Sequence, residues 1–235
     1  MLAEVDGIRR RLESNGDLAA MDRFHQQAVD ILLSGRFADA MDLDREDKSI
    51  IERYLPPASA EPFRQGTNDE PRATLKFLLA RRLVEAGVRC VSVSISDFDT
   101  HSNNFPRMKQ MIPIFDHGLW ALMTDLTERG MIDDVSIVVW GEFGRTPKVN
   151  KEGGRDHWPA VGMAMLAGGG MRVGQVLGAT DKHAAKAIER PIHYQDVFAT
   201  LYRNLGIDAR QTTVIDPTGR PQYLLDLGEP IREVV

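Results

Sequence analysis

The chain has 235 residues, of which 43% are hydrophobic and 27% are charged, and its formal net charge at pH 7 is -5. That length suffices for a substantial hydrophobic core, and the composition is ordinary for a globular protein. A negative net charge without a basic cluster argues against nucleic acid as a partner. No segment approaches the roughly 20 apolar residues that a membrane-spanning helix needs, and the charged start of the chain lacks the apolar centre of a signal peptide.

The first 55 residues of the chain are predicted to be helical. Apolar residues recur there at helical spacing, namely Leu18, Met21, Phe24 and Ala28. A second short helix is predicted at about Arg45–Tyr54, and a surface loop rich in proline follows at 56–71. We expect residues 1–71 to form a helical segment that packs on a core domain comprising residues 72–235.

Three further helices are predicted in the core domain, and each is followed by a glycine. The helices are Arg72–Ala86, Arg107–Arg129 and Tyr194–Leu205, and the glycines are Gly87, Gly130 and Gly206. Glycine adopts the left-handed conformation that commonly ends a helix. We therefore expect the helices to end at these positions.

Strands are predicted on both sides of the long helix, at Val88–Ser96 and Val135–Trp140. The order strand, helix, strand predicts a βαβ unit with parallel strands, whose carboxyl ends meet at one edge of the sheet. A later strand, Val161–Ala167, is then expected to run antiparallel to these two. Cys90 lies in the first strand, where we expect a buried small hydrophobic residue.

Polar residues follow the first predicted strand, at Asp97, Asp99 and His101. In extended backbone, residues two apart point the same way, so Asp99 and His101 are suited to face one cation. The alternative is a turn in which the aspartate caps the following segment.

A second polar group follows the second strand. Glu142 lies near two glycines, so it either reaches a ligand or pairs with Arg145. The planar guanidinium groups of Arg145 and Arg155 suit phosphate or sulfate oxygens. His157, next to Asp156, is either a metal ligand or a ring oriented by that carboxylate.

The other histidines have less specific interpretations. His25 and His117 fall within predicted helices, His193 packs or caps at the start of a helix, and His183, close to Asp181, is a weaker candidate ligand. Helix capping is the favoured role for at least one of the two asparagines at 103 and 104.

Three motifs resemble, in order and spacing, the bacterial family called domain of unknown function 1501. They are Asp-Thr-His-Ser-Asn-Asn-Phe at 99–105, Gly-Glu-Phe-Gly-Arg-Thr-Pro at 141–147 and Gly-Gly-Arg-Asp-His-Trp-Pro at 153–159. That family looks like a branch of the alkaline-phosphatase and sulfatase superfamily. The resemblance implies an α/β fold, an α/β/α sandwich with a mostly parallel mixed sheet. It also implies that the chain is N-terminally incomplete, because nothing before Asp97 resembles the superfamily's first metal ligand and nucleophile.

The resemblance further implies a metal-dependent hydrolase of sulfate or phosphate esters. Its divalent metal would be zinc, calcium or manganese, its substrate a small anionic ester or a sulfated glycan, and its location extracytoplasmic. The implied metal ligands are Asp99, His101, Glu142 and His157, with Arg145 beside them. Phe143 stands where relatives have a histidine, so a second metal would be missing or held differently. The alternative is a catalytically incomplete anion-binding or scaffold protein.

Overall fold

A computed structural model of the chain describes residues 29–30, 34–56 and 71–235. They form two compact units: one contains the described residues up to Phe98 together with Pro106–Asp125, and the other contains Asp99–Phe105 together with Leu126–Val235. The helix predicted from Leu18 onward falls almost wholly outside the described residues. The predicted division at residue 71 stays a prediction.

The first unit is helical. Its helices are α1 (Arg36–Met41), α2 (Lys48–Tyr54), α3 (Leu75–Glu85) and most of α4 (Asn104–Glu128). The sequence predictions of α2, α3 and α4 are therefore confirmed, with ends that differ by a few residues. On α4, Gly118 faces the ring of Phe77, which a Cβ at that glycine would overlap. The glycine thus allows α3 and α4 to approach closely.

A buried ion cluster joins α2, α3 and α4. The Arg81 side chain, 1% exposed, donates to Asp125 (2.8 Å), Glu85 (2.6 Å) and Glu46 (2.6 Å), and the Tyr54 hydroxyl donates to Asp125 over 3.1 Å. A buried guanidinium is tolerated when carboxylates occupy its donors. Burial favours the protonated form of Glu46, but hydrogen bonds from two arginines outweigh it and hold the pKa of that carboxyl below its usual value.

The three predicted helix-ending glycines are confirmed. After α3, Gly87 has a φ of 101° and its N–H donates to Val84 O over 2.9 Å, while Val88 N–H donates to Leu83 O over 3.0 Å. This is the Schellman arrangement, which satisfies the last carbonyls of a helix. Gly130 and Gly206 repeat it after α4 and after α5 (Tyr194–Asn204).

Residues 88–96 do not form the predicted strand. The segment has no ladder partner among the described residues, so the predicted parallel βαβ unit is absent from this part of the chain. Burial nevertheless alternates along it: Val91, Val93 and Ile95 are half-buried and the intervening serines are exposed. Cys90 is also exposed, contrary to the prediction, because it shares the face of the serines.

The second unit holds the described strands, which form four antiparallel two-stranded ladders. β1 (Ser136–Trp140) pairs with the fourth strand, β4 (Ala164–Gly168), with Val138 opposite Leu166. The predicted antiparallel direction of this later strand is confirmed relative to β1, whereas the other strand of the prediction, 88–96, does not form. The other ladders are β2 (Gly144–Arg145) with β3 (His157–Trp158), β5 (Ala179–Thr180) with β6 (Ala187–Glu189), and β7 (Thr213–Ile215) with β8 (Pro221–Tyr223). The chain is therefore a mixed α/β protein with small antiparallel sheets, and the described residues contain no parallel sheet.

α5 closes one side of β1 and β4. Its Val197 joins a core of buried residues that packs against both strands, namely Met171, Ile231 and Val234. His193 caps the helix, which is one of its two predicted roles. Its side chain accepts from the N–H of Gln195, and Asp196 accepts from the N–H of His193.

In the part of the chain that is described, no helix is both long and apolar enough to cross a membrane.

Candidate functional site

The short ladder of β2 with β3 places two candidate residues side by side. Arg145 lies directly opposite His157, so their side chains emerge on the same face. Gly144, the other β2 residue, lies against the backbone of Val161, whose carbonyl oxygen a Cβ would overlap. A glycine is therefore needed for this close approach.

The loop 146–156 attaches the 100–104 segment to this ladder. Arg155 N–H donates to Thr100 O over 2.9 Å, and Asn104 N–H donates to Gly153 O over 3.0 Å. Gly154 lies so close to His101 that a Cβ would overlap the carbonyl group of the histidine. Two parts of the chain about 50 residues apart are thereby joined through their backbones.

Three side-chain atoms meet at the end of this arrangement. Asp99 Oδ1 lies 3.1 Å from His101 Nε2 and 2.9 Å from His157 Nε2. The two histidine Nε2 atoms are 3.1 Å apart. These atoms form a nearly equilateral triangle, and the Arg145 guanidinium contacts the same Asp99 oxygen. All three residues of the triangle are partly open to solvent.

Neighbouring groups orient the two rings. His101 Nδ1 lies 2.7 Å from Asp156 Oδ1, which is a hydrogen-bonding distance. The ring of Phe143 lies 4.3 Å from that of His157, centroid to centroid. Hydrogen bonding from His157 and then Arg145 lowers the pKa of Asp99 to about 2. The aspartate is thus ionised at neutral pH.

The three contacts of the triangle need more N–H hydrogens than neutral rings can supply. A neutral imidazole has one N–H, and that of His101 points to Asp156. The ionised Asp99 has none, so when both rings are neutral only His157 can supply a hydrogen to the three contacts. In that state lone pairs face one another, an arrangement that a bound cation satisfies.

The donor set also suits a metal. Two imidazole nitrogens and one carboxylate oxygen are ligands typical of zinc and related transition metals. In a tetrahedral zinc site with bonds of 2.0–2.1 Å, ligand atoms lie roughly 3.3 Å apart. The triangle is only slightly tighter than that. A carboxylate behind a ligating histidine is likewise common at metal sites.

Two predicted site residues lie outside this group. Glu142 is exposed and is absent from the cluster of converging ligand atoms. Arg155 Nη1 donates to the carbonyl oxygens of Thr146 (2.6 Å) and Pro147 (2.8 Å), so its guanidinium holds the loop. Whether either residue acts on a ligand stays a prediction.

The remaining histidine interpretations can be placed as well. His117 Nε2 lies 2.9 Å from Arg53 O within the helical unit. Near His183, Asp181 accepts from the backbone N–H groups of His183 and Ala185, which is a turn. Hydrogen bonding from Ala185 and other backbone groups lowers the pKa of that aspartate.

Sequence reasoning missed two residues of the site. The sequence predicts Asp156 as a partner of its neighbour His157, whereas its carboxylate contacts His101. The second residue is Asn150, whose side chain donates to His101 O over 2.9 Å and accepts from Gly154 N–H over 2.9 Å. An asparagine shortly before two glycines is typical of a loop that the asparagine side chain closes by hydrogen bonds. The sequence therefore contains a signal for Asn150.

Comparison with known proteins gives one match. The family model described as "Protein of unknown function (DUF1501)" matches residues 1–235. No curated protein and no solved structure matches the chain. The chain therefore belongs to the DUF1501 family.

Proposed function

We propose that Asp99, His101 and His157 bind one divalent metal and that this site serves the hydrolysis of a sulfate or phosphate ester. The single observation that supports the proposal is the convergence of Asp99 Oδ1 and the two Nε2 atoms within 3.1 Å of one another. The three residues come from two motifs more than 50 residues apart, so local chain geometry alone does not explain their meeting.

Zinc and manganese suit this donor set better than calcium. Calcium takes six to eight oxygen ligands, whereas two of the three atoms here are nitrogens. Imidazole nitrogens are ordinary ligands of zinc and other first-row transition metals. We therefore narrow the proposed metals to zinc and manganese.

When bound, such a metal supplies Lewis-acid polarisation of an ester oxygen. The residues of the chain would hold and orient the substrate. Arg145 Nη1 contacts Asp99 next to the triangle, and its planar fork has further N–H donors that suit a sulfate or phosphate oxygen. Phe143 packs on His157 and fixes the plane of that ring.

Membership of the alkaline-phosphatase and sulfatase superfamily is part of the same proposal. The antiparallel pair β1–β4 and the polar motif that follows β1 support it. The α/β/α sandwich, a sulfated glycan or small anionic ester as substrate, and an extracytoplasmic location are all predictions that depend on this membership.

The second candidate function is that of a binding or scaffold protein, which would bind an anion at this site without hydrolysing an ester. Among the described contacts of the triangle and Arg145, none involves a serine, threonine or cysteine side chain. Superfamily hydrolysis proceeds through such a nucleophile. This observation favours binding without turnover for the chain as it stands.

The test is metal binding followed by turnover. Purified chain is titrated with Zn²⁺ and Mn²⁺ by calorimetry, with Asp99→Asn and His157→Ala as site variants and His183→Ala as the matched control. We expect stoichiometric binding that both site variants abolish and that the control retains. Equal binding by all four proteins, or by none, would contradict the metal site.

Turnover separates the two functions. The metal-loaded chain is assayed with aryl sulfate and aryl phosphate. Hydrolysis that is lost in His157→Ala supports the hydrolase. Metal binding without hydrolysis supports the binding protein.

A further inference from the structure

We infer that Asp156 is a positioning residue that fixes His101 in the tautomer with its hydrogen on Nδ1, so that Nε2 is free to bind a metal. The inference rests on the proposed metal site for its purpose. The contact itself is present without a metal: Asp156 Oδ1 lies 2.7 Å from His101 Nδ1.

The contact uses the ring atom that the triangle does not use. His101 meets Asp99 and His157 through Nε2 and meets Asp156 through Nδ1. An acceptor on one ring nitrogen places the hydrogen there and leaves the lone pair on the other nitrogen. Asp156 is not one of the three converging ligands, but it contacts one of them. Its role would therefore be to orient His101.

The chain holds Asp156 from both its backbone and its side chain. Thr146 N–H donates to Asp156 O over 2.8 Å, and Asp156 N–H donates to Thr146 Oγ1 over 3.0 Å. Asn150 Nδ2 lies 3.3 Å from Asp156 Oδ1 and 2.9 Å from His101 O. One asparagine therefore contacts both the orienting carboxylate and the backbone of the residue it orients.

His157 has a different environment. Its described contacts are the triangle atoms and the Phe143 ring, and no carboxylate other than Asp99 is among them. The two histidines are thus oriented by different means, one by a hydrogen bond and the other by ring packing. Removal of Asp156 should therefore take a hydrogen-bond partner from His101 and none from the His157 ring.

The first experiment reads the tautomer directly in metal-free protein. Long-range ¹H–¹⁵N correlation spectra of the imidazoles, recorded where the rings are neutral, distinguish Nδ1–H from Nε2–H. We expect His101 to carry Nδ1–H in the wild type and to shift towards Nε2–H, the form preferred by free imidazole side chains, in Asp156→Ala. The control Glu152→Gln removes an exposed charge from the same loop and should leave the wild-type pattern.

The second experiment measures metal affinity. We expect Asp156→Ala to weaken Zn²⁺ binding about 10- to 100-fold, the usual effect of losing an outer carboxylate, and Asp156→Asn, which keeps an acceptor oxygen, to have a smaller effect. Thermal unfolding of each variant shows that it is folded, and Glu152→Gln should bind as the wild type does.

The outcomes separate this inference from the proposed function. A wild-type His101 with Nε2–H, or an unchanged tautomer and affinity in Asp156→Ala, overturns the role of Asp156 even if Asp99→Asn abolishes binding. A wild type that binds no Zn²⁺ refutes the metal site, and the inference then fails in its purpose. A tautomer change together with the loss of affinity supports it.

Discussion

Asp99 Oδ1 receives contacts from three side chains, and their combined effect is visible in the pKa of the carboxyl. Hydrogen bonding from His157, followed by Arg145, lowers that pKa to about 2 from an ordinary value of 3.8. A depressed pKa in the folded state means that these interactions stabilise the fold above the unfolded-state value and are lost as the pH falls towards 2.

This gives a pH prediction for the metal-free protein. The difference in free energy of unfolding between the wild type and Asp99→Asn should shrink as the pH falls below about 4, because the carboxyl becomes protonated. Denaturant unfolding at several pH values measures it. A difference that stays the same between pH 4 and pH 2 would contradict the lowered pKa.

Gly154 determines how closely the loop 146–156 approaches His101. A Cβ at this position would overlap the carbonyl group of His101. We predict that Gly154→Ala displaces His101 and weakens Zn²⁺ binding at least tenfold, while the protein remains folded. Calorimetric titration and circular dichroism measure the two effects.

The matched control is Gly141→Ala, since the added methyl group there would meet only Phe143 O at 3.7 Å, an ordinary contact. Affinity should stay near the wild-type value in this control. Equal affinity in Gly154→Ala would show that the site tolerates a shift of its backbone.

At the scale of elements, α3 is joined to its neighbours by a buried cation. Arg81 is 1% exposed and pairs with three carboxylates, one of which, Asp125, is itself 1% exposed. Removal of the guanidinium takes from that buried charge its ion-pair partner. Breaking such a pair costs far more than an intact pair contributes.

We predict that Arg81→Ala lowers the free energy of unfolding by about 3–5 kcal/mol. Arg45→Ala is the control, because Arg45 also pairs with aspartates but its side chain is 59% exposed. Exposed pairs contribute little, so this variant should unfold almost as the wild type does. Chemical denaturation compares them, and similar losses in the two variants would refute the role of burial.

Elements whose signals are local were predictable from the sequence. The glycines after α3, α4 and α5 specify helix ends through their own backbone conformation, and all three positions agree with the structure. The capping role of His193 and the strands β1 and β4 are similarly local. Pro113 lies inside α4 in spite of its helix-breaking tendency, which shows that packing can override a local signal.

Features that depend on a partner were not predictable in the same way. Residues 88–96 have the alternation of a strand, yet alternation does not specify which strand lies alongside, and no ladder forms among the described residues. The contact of Asp156 with His101 joins residues 55 apart and depends on how the loop 146–156 closes. The sequence alone indicates His157 as the partner of Asp156, because the two residues are adjacent.

At the scale of the whole molecule, the exposed Cys90 gives a simple check of the alternation of buried and exposed side chains along 88–96. It is a free cysteine, and the chain contains one cysteine in total. We predict that one thiol per chain reacts with Ellman's reagent in native buffer, at a rate close to that in denaturant. Labelling that requires denaturant would show that Cys90 is buried after all.

The unit that contains the triangle is discontinuous in sequence. The stretch Asp99–Phe105 belongs to it, but the chain on either side of that stretch, up to Phe98 and from Pro106 to Asp125, belongs to the helical unit. A C-terminal fragment that starts at residue 126 would keep His157 and lose both Asp99 and His101. Any continuous fragment that keeps all three ligands must therefore also keep Pro106–Asp125, which belongs to the helical unit.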